Sequence, residues 1–85
     1  MYIRPKKVKV FPLQIENIKV ILPMSEEFNI DEYENAMKRL GEGKDTEPIV
    51  VTFCSEGYQL IKGLSIYQAY LKNERKIIPA IIKRK

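Results

Sequence analysis

The apolar pattern of this chain changes period at one glycine. Residues 49–54 (Ile-Val-Val-Thr-Phe-Cys) are β-branched, aromatic or small, the mark of a buried strand. Ser55-Glu56-Gly57 then offers a turn with a glycine available for positive φ, and Tyr58 to Ile61 reads as the returning strand, so 49–61 is a hairpin. After Gly63 the spacing lengthens. Leu64, Tyr67 and Leu71 fall at helical intervals, with Ile66, Ala69 and Tyr70 beside them, and Asn73 and Glu74 end the helix. Ile77, Ile78, Ala80, Ile81 and Ile82 are extended again, and Pro79 among them points to an edge strand or a bulge. A hairpin that passes into a helix at Gly63 and returns as a strand restricts the fold to a small sheet with helices packed against it.

The first half supplies the remaining elements. Residues 7–11 alternate polar and apolar, a strand signal, and Pro12 is expected to end or bend it. Leu13, Ile15, Ile18, Val20 and Leu22 form a looser apolar series around the turn-like Glu16-Asn17, which predicts a short turn and an extended piece up to Pro23. Residues 30–40 read as a helix with Ile30, Tyr33, Met37 and Leu40 on one stripe, widened by Ala36. Asn29 is placed to cap it, with Glu32 closing a capping box. Asp31, Glu32 and Glu34 suit the positive end of the helix dipole, Lys38 and Arg39 the negative end, and Gly41 and Gly43 stop the helix. The order strand, helix, strand, strand, helix, strand is α+β, with a small mixed β-sheet and two main helices in one domain over residues 1–85.

Composition removes several classes of function. There is no His, so the commonest general base and metal ligand is missing, and Ser65 has no histidine to activate it. The single Cys54 excludes an internal disulfide or a cysteine zinc cluster. The N-terminal Met-Tyr-Ile-Arg-Pro-Lys-Lys has no apolar stretch behind its charges and no small-residue cleavage site, so a cytosolic protein is expected, with no membrane partner. Net charge is +4, and residues 24–47 hold eight of the eleven acidic groups. The cations gather elsewhere, as Arg4, Lys6, Lys7 and Lys9, as Lys72, Arg75 and Lys76, and as Lys83, Arg84 and Lys85. These three groups are the candidate nucleic-acid contacts. Solubilising lysines on flexible ends would give the same pattern.

Glu47-Pro48-Ile49-Val50-Val51, then Gly57-Tyr58-Gln59-Leu60-Ile61-Lys62-Gly63, then Tyr67, Ala69 and Tyr70, then Ile77-Ile78-Pro79-Ala80-Ile81-Ile82 form an ordered set. Together they resemble the ParB/sulfiredoxin superfamily over roughly residues 8–83. In that family a Pro-Ile-x-Val strand pairs with a Tyr-x-Ile-x-Gly strand, the glycine opens a motif helix, and a Val-Pro-x-x-Val-type strand closes the domain. The resemblance implies an anion site where that helix begins, with Lys62, Gly63 and Ser65 as candidate phosphate or nucleotide contacts. The family's charge and thiol are missing. Where ParB-type members read Gly-Glu-Arg-Arg and sulfiredoxins Gly-Cys-His-Arg-Tyr, this chain reads Gly63-Leu64-Ser65-Ile66-Tyr67. Residues 22–28 hold no counterpart of the ParB arginine box, and Cys54 lies on the hairpin rather than at the motif helix.

The resulting expectation is a non-catalytic domain acting by binding, to nucleic acid in a plasmid or phage setting or to a protein partner or second copy, with no cofactor. A nucleotide-dependent phosphotransferase, NTPase or nuclease with a reduced site is the enzymatic alternative. Glu47 is then a candidate base at the mouth of the site. Glu26, Glu27, Asp31, Glu32 and Glu34 offer carboxylates to Mg²⁺, although the helix dipole alone accounts for their place. Tyr58, Tyr67 and Tyr70 read either as base-stacking groups or as half-buried packing.

Overall fold

A computed structural model of the chain describes residues 9–21 and 28–84. It contains a strand β1 (Phe11–Gln14), a single 3₁₀ turn (Ile15–Asn17), β2 (Ile18–Lys19), helix α1 (Ile30–Gly41), β3 (Ile49–Cys54), β4 (Gly57–Lys62), helix α2 (Leu64–Lys72) and β5 (Ile77–Ile82). The strands form one mixed sheet in the order β1-β5-β3-β4-β2. β1 runs antiparallel to β5, β3 parallel to β5 and antiparallel to β4, and β2 parallel to β4.

Chain geometry makes this sheet curl. β1 and β2 are its two edges, yet only the three residues Ile15–Asn17 separate them. Five flat strands would hold the edges about 19 Å apart, whereas four residue steps reach about 14 Å at most. The concave side collects Leu13, Ile15, Ile18, Ile49, Val51, Leu60, Ile78 and Ala80, each at most 9% exposed. Ala36 and Leu40 of α1 and Ile66, Ala69 and Tyr70 of α2 complete the core.

Several boundaries differ from the sequence expectation. The first strand is Phe11–Gln14, not 7–11, and Pro12 lies inside it. Residues 7 and 8 lie outside the described ones, as do 22 and 23 at the end of the expected extended piece, which contracts to the two-residue β2. Pro12 is tolerated because β1 is an edge. The Ile15 amide donates to the Lys76 carbonyl at 2.9 Å, so by antiparallel alternation the nitrogen of Pro12 faces outward, where no strand needs a donor. Pro79 sits directly opposite Pro12, but on the interior strand β5 rather than on an edge. The register shift is elsewhere, between Val50 and Val51 against β4, which makes room for Ile61 just before the Lys62-Gly63 junction. Gly57 is required as well as permitted: at φ 127° a Cβ there would lie 2.6 Å from the Asn17 carbonyl oxygen, where β2 meets β4.

α1 begins and ends nearly where its caps predict. Gly41 is helical, however, and Gly43, at φ 74°, is the glycine that releases the chain. The buried face of α2 is also rotated from the expected Leu64, Tyr67 and Leu71 stripe. Ser65, Ile66, Ala69 and Tyr70 are buried, Leu64 and Tyr67 half-buried, and Leu71 exposed.

Candidate functional site

The β4–α2 junction is built around Gly63. Its φ of 101° turns the chain from strand into helix, and it lies so close to β3 that a Cβ would sit 2.7 Å from Ile49 Cγ2. Leu64 is half-buried and Ile66 buried, so the helix opens with apolar side chains turned to packing. Ser65 is fully buried, and its Oγ accepts the Asn29 amide at 2.8 Å. Asn29 Oδ1 in turn accepts the Glu32 amide at 3.0 Å. Thus only half of the expected capping box forms. The Asn29 N–H, which a Glu32 carboxylate would take in a closed box, goes to Ser65 and ties the starts of the two helices together. The Glu32 side chain instead borders the adjoining cleft.

That cleft consists of two hollows, of about 490 and 570 Å³, that share Asn29, Glu32, Glu47 and Ile66. Lys62 and Gly63 border one, and Arg39 and Asp45 border the other. Four carboxylates (Asp31, Glu32, Asp45 and Glu47) and two cations (Lys62 and Arg39) surround the whole. Arg39 is partly occupied, since its Nη1 donates to the Asp45 carbonyl at 3.2 Å. Thr46 Oγ1 and the Tyr70 hydroxyl lie 3.0 Å apart and hold the loop entering β3 against α2. Among the described residues no group of His, Cys, Asp or Glu is arranged to hold a metal ion; Glu26 and Glu27 lie outside them. Burial raises the Tyr67 hydroxyl above its ordinary pKa of 10.0.

The expected basic groups separate. Lys9 precedes β1 by two residues, and Lys83 and Arg84 follow β5; because Phe11 pairs with Ala80, these three flank one end of the β1–β5 ladder. Lys62 opposes Val50, which pairs with Ile81, so it stands near the same end. Lys72, Arg75 and Lys76 lie at the opposite end of β5, about 20 Å away for a six-residue strand. Arg75 there has a structural bond, from Nη2 to the Leu40 carbonyl at 3.0 Å, which satisfies the C-terminal turn of α1. Arg4, Lys6, Lys7 and Lys85 lie outside the described residues.

Sequence reasoning did not find Asn35, Arg39, Asp45 and Thr46 as cleft residues, nor the bond between Asn29 and Ser65. The latter spans 36 positions, and no local pattern announces it.

Solved structures with the same architecture are well matched. A sulfiredoxin from Arabidopsis thaliana superposes with a TM-score of 0.73 at 19% identity, covering 91% of this chain and 86% of its own. The fold is ParB/sulfiredoxin-like. A C-terminally truncated ParB from Caulobacter crescentus, complexed with CTP-γ-S, matches the ParB/sulfiredoxin-like core with a TM-score of 0.72 at 17% identity, over 91% of this chain and 45% of that one. A free serine kinase variant in complex with AMP gives 0.72 at 16% identity, over 98% of this chain and 34% of that one. The chain therefore spans less than half of the ParB and kinase chains. No protein-family model and no curated protein matches its sequence.

Proposed function

We propose that this chain is a binding domain that keeps the ParB/sulfiredoxin-like scaffold without its anion chemistry, and that its partner is nucleic acid. The observation that carries the reading is the separation of charge. Carboxylates outnumber cations around the cleft at α2, whereas Lys9, Lys83 and Arg84 gather at one end of the sheet, with Lys62 on the border between the two. A polyanion is repelled by the first surface and attracted by the second. The start of α2 supports the absence of catalysis: Leu64 and Ile66 carry no charge, and the Ser65 oxygen is engaged by Asn29. Paired arginines at such a helix start would supply the bidentate, charge-assisted bonds that phosphate chemistry draws on.

Fluorescence anisotropy with labelled duplex and single-stranded oligonucleotides tests this. Binding is expected at low salt and should weaken steeply, with a slope of about −3 in log Kobs against log salt for three to four phosphate contacts. The K62E/K83E/R84E variant should lose at least tenfold in affinity. Absence of binding to either oligonucleotide at low salt would overturn the proposal.

The ligands of the neighbours favour a second reading. The matched ParB and serine kinase structures hold CTP-γ-S and AMP, and a cleft of about 490 Å³ bordered by Lys62 and Gly63 is large enough for a mononucleotide. A thermal-shift screen with AMP, ATP and CTP separates the two. A ligand at about 100 times its dissociation constant adds about 2.7 kcal/mol, a readily measured shift in a domain of this size.

A further inference from the structure

The nucleic-acid reading leaves open what kind of strand is bound, and the hairpin bears on this. Phe53 and Tyr58 are direct partners across β3 and β4, their ring centroids 5.5 Å apart and tilted by 36°. Strand alternation puts them on the same face as the buried pair Val51 and Leu60, one step further out. There the core ends: Tyr58 is half-buried and packed against it, while the Phe53 ring emerges, 58% exposed, although it stands in a β-branched run that otherwise reads as buried. A large aromatic ring with that much open surface has no packing role equal to its size.

Cations adjoin it. The Lys83 amide donates to the Val51 carbonyl at 2.7 Å, so the chain leaving β5 continues alongside β3 toward the level of Phe53, and Arg84 follows. On the other side of the hairpin Lys19 pairs with Gln59, and so stands on the opposite face of the sheet from Tyr58. The one carboxylate of the adjacent turn that bears an ion pair, Glu56, lies 3.6 Å from the Lys19 ammonium, which offsets its charge.

Resting on the nucleic-acid reading above, we infer that Phe53 and Tyr58 form a stacking platform for the bases of a single-stranded nucleic acid whose phosphates run along Lys83 and Arg84. Every base has a π-face, so an exposed ring beside cations, backed by a second, half-buried ring, accepts single strands of any sequence, whereas a duplex hides those faces. No chemical step is involved; the surface is a reading head for unpaired bases.

The test compares the wild-type chain with Phe53→Leu and Tyr58→Leu, using a labelled oligo-dT and a duplex of equal length in anisotropy titrations. Leucine keeps apolar bulk at the exposed position 53 and the half-buried position 58, and circular dichroism verifies that each variant is folded. Loss of one stacking ring should weaken oligo-dT binding about tenfold and change duplex binding less than twofold. Arg84→Glu should weaken both. Unchanged oligo-dT affinity in F53L, or equal losses for single strand and duplex, overturns the platform while leaving the broader nucleic-acid reading intact. Failure of the wild type to bind either oligonucleotide overturns both.

Discussion

Adding a methyl group at position 63 meets two obstacles at once. The backbone there, at φ 101°, is one that L-residues rarely adopt, and the new Cβ would stand 2.7 Å from the side chain and 3.1 Å from the Cα of Ile49. Ile49 is fully buried at the centre of the sheet and has nowhere to retreat. Gly63→Ala is therefore expected to cost about 2–4 kcal/mol, read as a lower urea midpoint at unchanged m-value. A variant within about 0.5 kcal/mol of wild type would show that the β4–α2 junction relaxes freely. This glycine is also where sequence and structure agree best, because a change of period at a glycine is a purely local signal. Ser65 is the opposite case. Two residues further on, it was legible as a possible phosphate contact, but its burial against Asn29 depends on a residue 36 positions away.

Among the elements, α1 was legible because its caps and stripe are contained in its own sequence: Asn29 starts it, and Lys38 and Arg39 lie in its last turn. The hairpin was legible for the same reason. Less of α2 could be read, since apolar residues lie nearly all round it, and which ones face inward is decided by α1 and the sheet. β2 was legible only as a loose apolar series, because two residues paired in parallel with a strand about 40 positions later carry no periodicity of their own. Neither proline reads as expected: Pro12, expected to end or bend its strand, lies inside the edge strand β1, and Pro79, expected at an edge or bulge, lies on the interior strand β5, since whether a missing N–H is tolerated depends on which side of the strand it faces. At this scale α2 also makes a pH-dependent contribution. The Tyr67 hydroxyl is raised above 10.0 by desolvation, so the folded chain holds its proton to higher pH than the unfolded chain does. The associated stability is whole below about pH 10 and is lost as pH climbs through the folded value. Tyr67→Phe should flatten the fall in unfolding free energy above about pH 10, measured by urea titrations across that range. An identical alkaline slope in both proteins would rule out this group as the source.

Over the whole molecule, the cleft and the basic end of the sheet are adjoining surfaces that meet at Lys62, and neither was foreseeable from the count of lysines. The ordered set of motifs identified the scaffold, but the placement of Lys9 near Lys83 and of Arg75 against Leu40 required the ladder between β1 and β5. That ladder has a temporal consequence. Phe11–Gln14 finds its sheet partner in β5, which follows all the other described elements in the sequence, and β2 finds its own in β4. β1 and β2 must therefore wait until their partner strands have been made before they can dock, while α1 and the hairpin already have near neighbours. Contacts between distant segments form late in such a search. In refolding followed by pulsed hydrogen exchange, the Ile15 amide, bonded to Lys76, should gain protection after the amides of the β3–β4 hairpin. Earlier protection of Ile15 would contradict that order. β1 is thus a latch, closed by β5.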